Sequence, residues 1–458
     1  MSIPRRHSFR RPADVGACFR TLPTEHRFRL AGPGRPEVIG AEPRTIVSRR
    51  RTDRGDAPSL EERLRTVLPR VPSITADGAF PGGALGVLGY EFGYPRVNLP
   101  LDPRPAPGPL AWFGVYDTFA TFREDTVEIV SWGLDESGSF DSRLALRRAK
   151  ELEERLRGAS AAPRSTEGED SDTGSLPLPV ASLDEAGHAE RVGEVLAAIR
   201  RGDVYQANLT VRFDVPTRRD ALSLFETLLR DNPAPFATYL ETDEGTVISC
   251  SPERMLAAHG RRLTTRPIKG TAPRAIDPDE DARLARRLLE SAKDRAELLM
   301  ITDLERNDLG RVCRIGSVRV PELLTCESYP HVHHLVSTIV GELAPGRDVF
   351  DALDALFPYG SITGTPKRRA TELLRELEPT TRGVYTGTVG WIGFDRSADF
   401  AVAIRTGVHA NGVFSFGAGG GIVIDSDPAS EWRELQWKAR AFALALDTSL
   451  ESPSAGGL

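Results

Sequence analysis

The chain is poor in cysteine: Cys18, Cys250, Cys313 and Cys326 are the only four thiols in 458 residues. None forms a Cys-x-x-Cys pair, and their spacing suggests neither a disulfide framework nor a zinc site. Reduced, mostly buried thiols in a cytoplasmic protein are expected, with Cys250 closing an apolar strand. No apolar run approaches membrane-spanning length, so no membrane is expected as a partner. Neither is there a large charge excess. The formal charge of -6 gives no reason to expect a nucleic-acid surface. The start is basic through Arg5, Arg6, Arg10 and Arg11, but no apolar core follows as in a secretory signal. Residues 1–16 therefore read as a flexible arm. No fixed-period repeat is present.

What is present is ordinary globular composition, 40% hydrophobic and 27% charged, at a length that can bury a large core in one big domain or two lobes. One stretch departs from it. Residues 158–182 are mostly Ser, Ala, Pro, Glu, Asp and Gly, too polar to offset the entropy of ordering, and read as a disordered linker. It divides an N-terminal domain, 17–157, from a C-terminal domain, 183–447, with a flexible tail at 448–458.

Local patterns place the elements. Ala111 to Phe122 and Thr126 to Trp132 read as strands. Asp141 to Arg157 reads as a charged amphipathic helix. A helix is expected from about Leu183 to Arg201, with Val192, Val195, Leu196 and Ile199 at helical spacing. A strand follows at Thr246 to Cys250, then one long helix from Asp279 to Glu305 with Leu284, Leu288, Ala292 and Leu299 on one side. Asp399 to Val408 and Val413 to Phe416 read as strands joined through the turn signal Asn411-Gly412. Asp427-Pro428 opens a last helix running to about Leu446. Hairpins mixed with long helices indicate an α+β fold.

Four segments put polar groups where a core would not want them. Glu253, in Ser251-Pro-Glu-Arg254, follows a strand; burial would raise its pKa and suit it to acid–base work. Asp294 to Arg311 sets Glu297, Asp303, Arg306 and Asp308 around an apolar stretch, which is equally the pattern of a structural ion-pair cluster. Phe357 to Arg369 brings small residues and hydroxyls, among them Ser361 and Thr363, before a helix near Pro366, where exposed amides favour an anion. Its Gly/Lys/Ser spacing is not that of a P-loop. Gly417-Ala-Gly-Gly-Gly421 allows close backbone approach. Glu431 and Glu434, three apart on one helix face, repel unless neutralised, and Mg²⁺ is a natural counter-ion. Lys269, in Pro267-Ile-Lys-Gly-Thr271, sits on a stiff backbone; partial desolvation would make it a nucleophile.

Together and in this order, these segments resemble the chorismate-binding enzymes, which include anthranilate synthase component I, aminodeoxychorismate synthase component I, and the isochorismate and salicylate synthases. The resemblance covers Leu183 to Leu446 and is looser before it. It implies a two-lobed, anthranilate synthase component I-like fold with large antiparallel β-sheets flanked by helices. It implies Mg²⁺ held by Glu297, Glu431 and Glu434 on the ring carboxylate of chorismate. Arg405, in Ala403-Ile-Arg-Thr406, matches the arginine that clasps a substrate carboxylate. Tyr385, Gly419, Gly420, Gly421, His334, Ser361, Thr363 and Gln206 match further substrate-contacting positions.

Two positions separate the subfamilies. Gln206 stands where water-using members resembling isochorismate synthase carry a lysine base, and an amide cannot serve as that base. Lys269 stands in the Pro-Ile-Lys-Gly-Thr typical of aminodeoxychorismate synthases, where anthranilate synthases usually carry alanine. Val38-Ile-Gly-Ala-Glu-Pro-Arg44 also lacks the Leu-Leu-Glu-Ser of tryptophan-regulated enzymes. Tyr359 replaces a common glycine, and Trp391 stands where tyrosine is frequent. The implied activity is amination of chorismate to 4-amino-4-deoxychorismate through a covalent Lys269 intermediate, with Glu253 assisting, for 4-aminobenzoate and folate synthesis. No cysteine sits in a glutaminase nucleophile turn. The implied partners are therefore a separate glutaminase subunit supplying ammonia and a downstream lyase. The rival readings are an anthranilate synthase component I, with nitrogen at C2 and pyruvate eliminated, and a non-catalytic chorismate-binding subunit.

Overall fold

Strands rich in β-branched and aromatic residues pair into two large antiparallel sheets in the computed structural model, which describes residues 4–12, 14–53, 58–72, 78–159 and 179–448. The sheets hold twelve and ten strands among the described residues, with helices packed around them, so the α+β expectation and the two antiparallel sheets are both met. No described helix is long and apolar enough to cross a membrane.

The two lobes are not successive pieces of chain. In the larger sheet, Phe28–Ala31 pairs with Phe236–Thr242. In the other, Gly83–Leu88 pairs with Thr388–Gly393. Segments from either side of residues 158–182 thus complete both sheets. The largest apolar cluster is also shared: Phe28, Trp112, Phe113 and Tyr116 pack in one core with Phe350, Phe357, Tyr359 and Phe400. Of the linker itself, residues 160–178 lie outside the described residues, as do 449–458 of the tail. Val180–Ala181 forms a short strand on Phe213 and Asp214.

The expected arm is partly a strand. Arg5–Arg10 runs antiparallel to Thr126–Ser131 and forms an edge of the larger sheet. Phe9 anchors it beneath the Arg157 guanidinium, 4.4 Å from the ring centre. Asp14 caps the following helix, Val15–Arg20, accepting from the Ala17 amide.

Two expected elements are broken, and both breaks shape the cavity described below. The long helix is two, Pro278–Glu290 and Ala292–Gly310, because Ser291 ends one and caps the other through its hydroxyl on the Asp294 amide. Leu284 to Leu299 consequently do not share one buried face: Leu288 is buried and Leu299 is exposed. The strand expected from Asp399 to Val408 is also two. Ala398–Val402 belongs to the smaller sheet and Thr406–Ala410 to the larger, and the chain crosses between them at Ala403–Arg405. A second crossing lies at Pro252-Glu253, between Gly245–Ser251 and Arg254–His259. The Asn411-Gly412 turn forms as expected, with φ of 51° and 73°, the twist that suits a two-residue hairpin.

Candidate active site

A cavity of about 460 Å³ lies at these crossings. Its lining includes Glu253, Lys269, Glu297, His334, Ser361, Tyr385, Arg405, Gly419, Gly421, Glu431 and Glu434. Residues spread over nearly two hundred positions are thus gathered around one space of the size that suits a small ligand.

Glu253 occupies one crossing and is only 2% exposed. Burial pushes its carboxyl up to about 7, against the opposing pull of the Lys269 charge. The Ile268 amide donates to its Oε1 at 3.2 Å, tying the acid to the residue before Lys269. A carboxyl of this kind is half protonated near neutral pH and can donate or take a proton there.

Lys269 lies in the strand Ile268–Pro273, and its Nζ donates to the Ser361 carbonyl at 2.9 Å. Burial lowers its pKa, opposed by Glu297 and Glu253. Gly421 leaves room for its neighbours: a Cβ there would sit 2.4 Å from the Gln206 Nε2 and 3.5 Å from the Lys269 Nζ. Gln206 is fully buried beside Gly421, and neither its amide oxygen nor its nitrogen has a hydrogen-bond partner.

Arg405 occupies the other crossing with a left-handed φ of 46°. Its guanidinium makes no ion pair with any carboxylate among the described residues, and burial lowers its pKa; an arginine side chain keeps its charge in proteins. A half-buried cation with no anion is prepared to receive one. His334 faces the same space. Burial and the Arg405 charge drop it to about 4, so the imidazole is neutral at physiological pH, and its Nδ1 pairs with the Thr271 hydroxyl at 2.9 Å. Tyr385 lies flat against Gly417.

The acidic end combines two helices. Glu297 comes from Ala292–Gly310, and Glu431 and Glu434 come from Pro428–Ala445. Burial raises the Glu297 pKa against the pull of Lys269 and Lys293, whereas Lys438 lowers that of Glu434. Lys293 lies 3.5 Å from the Glu431 Oε1, and Lys438 lies 2.8 Å from Glu434 while donating to the Gly419 carbonyl. Among the described residues no three His, Cys, Asp or Glu side chains converge closely enough to hold a metal unaided. The donors are nonetheless all carboxylate oxygens around one cavity. That suits Mg²⁺, which takes few protein carboxylates and completes its shell from ligand and water oxygens.

Three expected contacts fall outside the lining. Thr363 is fully buried and turned to the Tyr90 hydroxyl at 3.3 Å. Gly420 backs onto Glu431, whose Oε2 would lie 3.2 Å from a Cβ there. Gln206 lies fully buried beside Gly421, as described. Conversely, Lys293, Lys438, Asn208 and Trp437 line the cavity without having been singled out. Lys438 was within reach of the sequence: it lies four residues after Glu434 on one helix, the spacing of a neutralising pair. Lys293 answers Glu431 across the fold and leaves no local signal.

The description chorismate binding enzyme matches residues 25–444. The chain is 40% identical over 376 residues to aminodeoxychorismate synthase component 1 of Bacillus subtilis, covering 81% of this chain and 78% of that one. It is 39% identical over 445 residues to anthranilate synthase component 1 of Streptomyces coelicolor, covering 95% and 84%. Among solved structures, anthranilate synthase component I from Streptococcus pneumoniae superposes with a TM-score of 0.77 at 27% identity, over 90% of this chain and 93% of that one.

Proposed function

The chain belongs to the chorismate-binding enzymes, and within that family we propose that it is an aminodeoxychorismate synthase component I. Overall similarity does not choose between amination at C4 and at C2, since relatives of both kinds match at 40% and 39% identity. The observation that carries the reading is Lys269: a primary amine of lowered pKa, facing the cavity beside an acid of pKa about 7.

In this reading Arg405 binds a substrate carboxylate, with Tyr385, His334 and the glycine strand Gly419–Gly421 shaping the pocket. Glu297, Glu431 and Glu434 would hold Mg²⁺, in place of the contacts of Lys293 with Glu431 and of Lys438 with Glu434. The cation would supply positive charge for the ring carboxylate and draw electron density from the ring. The Lys269 nitrogen, uncharged, forms a bond to C2 as the ring double bond shifts and the C4–O bond breaks. Glu253 gives its proton to the leaving hydroxyl, which departs as water. Ammonia then forms a bond at C4, the double bond shifts back, and the C2–N bond to Lys269 breaks. Two displacements leave nitrogen at C4 with retained stereochemistry. Gln206 disfavours the water-adding alternative.

Ammonia comes from a separate glutaminase subunit, in keeping with the "component 1" in the relatives' names. A lyase then acts on the product to give 4-aminobenzoate for folate. The setting is cytoplasmic, which keeps the four thiols reduced. The test is incubation with chorismate, Mg²⁺ and ammonium, with and without an added lyase. The expected product is 4-amino-4-deoxychorismate, converted to 4-aminobenzoate by the lyase. Anthranilate as main product would sink the reading in favour of C2 amination.

A further inference from the structure

Behind the Ser361 turn lies a carboxyl that the proposed chemistry does not use. Glu305, on Ala292–Gly310, is fully buried. Its Oε1 accepts from the Gly360 amide at 3.1 Å, and its Oε2 has no hydrogen-bond partner. A buried carboxyl with an unmatched oxygen is costly, and an apolar side chain of similar volume would pack more cheaply. The contact it makes is therefore the place to look for its use.

That contact fixes a short turn, Gly360–Ile362, pressed against the helix. A Cβ at Gly360 would lie 2.4 Å from the Leu304 Cδ2 and 2.7 Å from the Glu305 Oε1, so helix and turn touch with no room for a side chain. On the other side the Tyr359 hydroxyl pairs with the Thr265 hydroxyl at 2.8 Å, on the strand just before Lys269. The turn so held presents the Ser361 carbonyl that receives the Lys269 Nζ. The Ser361 side chain also lies beside Glu253 and draws its carboxyl down against the effect of burial.

We propose that Glu305 is a positioning residue, holding the Gly360 amide so that Ser361 sets the orientation of Lys269 and Glu253. This rests on the reading of that pair as the reacting groups. The groups facing Glu305 are Asp308 on its own helix, Lys367 from the helix Lys367–Leu377, Tyr359 from the turn and Glu253 from the crossing. Lys367 bonds to Asp308 at 2.5 Å. Burial and the Asp308 charge push the Glu305 carboxyl well above its ordinary range. A glutamine amide oxygen is an equivalent acceptor, and leucine is none.

The experiment compares Glu305→Gln and Glu305→Leu with the wild-type full chain, measuring chorismate consumption with Mg²⁺ and ammonium. Glu305→Gln is expected to keep kcat within about twofold. Glu305→Leu is expected to lower kcat about tenfold or more, equal to about 1.4 kcal/mol of barrier, with KM little changed because Arg405 is untouched. Thermal unfolding should show Glu305→Leu at least as stable as wild type, and hydrogen exchange across Tyr359–Ile362 should quicken in Glu305→Leu alone. Wild-type kcat in Glu305→Leu, or equal damage from both variants, overturns the proposal. Glu305→Met gives the same comparison if the leucine variant does not fold. Consumption is followed whatever the product, so anthranilate from the wild type would refute the C4 reading and leave the Glu305 comparison intact.

Discussion

Replacing Glu253 by glutamine should damage the enzyme and stabilise the protein, by an amount that pH controls. Folding raises the Glu253 carboxyl from its ordinary 4.5 to about 7, chiefly by burial. Below pH 4.5 the side chain is neutral whether the chain is folded or unfolded, and the shift has no effect on stability. As pH rises through this window the unfolded chain ionises first, so the unfolded state gains and wild-type stability falls until the folded group also ionises near 7. At 1.36 kcal/mol per pH unit, the interval amounts to about 3 kcal/mol. Glutamine keeps the acceptor for the Ile268 amide and cannot ionise. Urea unfolding of both proteins at several pH values should therefore show a difference that grows between pH 4.5 and 7 to about 3 kcal/mol in favour of Glu253→Gln, then levels off. Turnover should fall by about 10² to 10⁴ in the same variant, as expected for loss of a general acid. Wild-type turnover should itself decline above pH 7 as the acid loses its proton. A stability difference that is the same at pH 5 and pH 8 would refute the assignment of a buried, neutral acid.

Lys269→Ala should reduce C4 amination by about 10² or more, measured as 4-amino-4-deoxychorismate formed; unchanged amination would rule out an essential covalent role. Arg405→Lys keeps the charge and loses the two-pronged contact, so the KM for chorismate should rise by about 10-fold or more with a smaller change in kcat. Glu434→Gln should weaken Mg²⁺ binding, read directly by calorimetry with the metal alone, and raise the Mg²⁺ needed for half-maximal rate. Ser291→Ala removes the cap between two helices and should cost about 1 kcal/mol in urea unfolding.

The residues that line the pocket were more legible in the sequence than the framework that assembles it. Glu253, Lys269, Glu297, Arg405, Glu431 and Glu434 belong to segments whose polar groups interrupt otherwise apolar patterns, and all six face one cavity. The hairpin at Asn411-Gly412 was legible because its turn chemistry is local. Strand pairing is not local. Nothing near Arg5 announces that its partner is Ser131, or near Phe28 that its partner is Leu240. The run from Asp399 to Val408 looked continuous because a strand that changes sheets keeps its hydrophobic alternation, and only the left-handed φ at Arg405 marks the change. Glu305 reads in sequence as one more charge on a helix, and its burial depends on Gly360 arriving from elsewhere.

The two crossings at Pro252-Glu253 and Ala403–Arg405 also bear on how such a protein can vary. Strand interiors answer to packing, while Glu253 and Arg405 hang on joints only a few residues long. On the reading proposed above, exchanges at the joints and on the glycine rim redirect the chemistry while both sheets stay as they are. A single framework is then open to several reactions on one substrate, with Gln206 and Lys269 among the positions that make the choice.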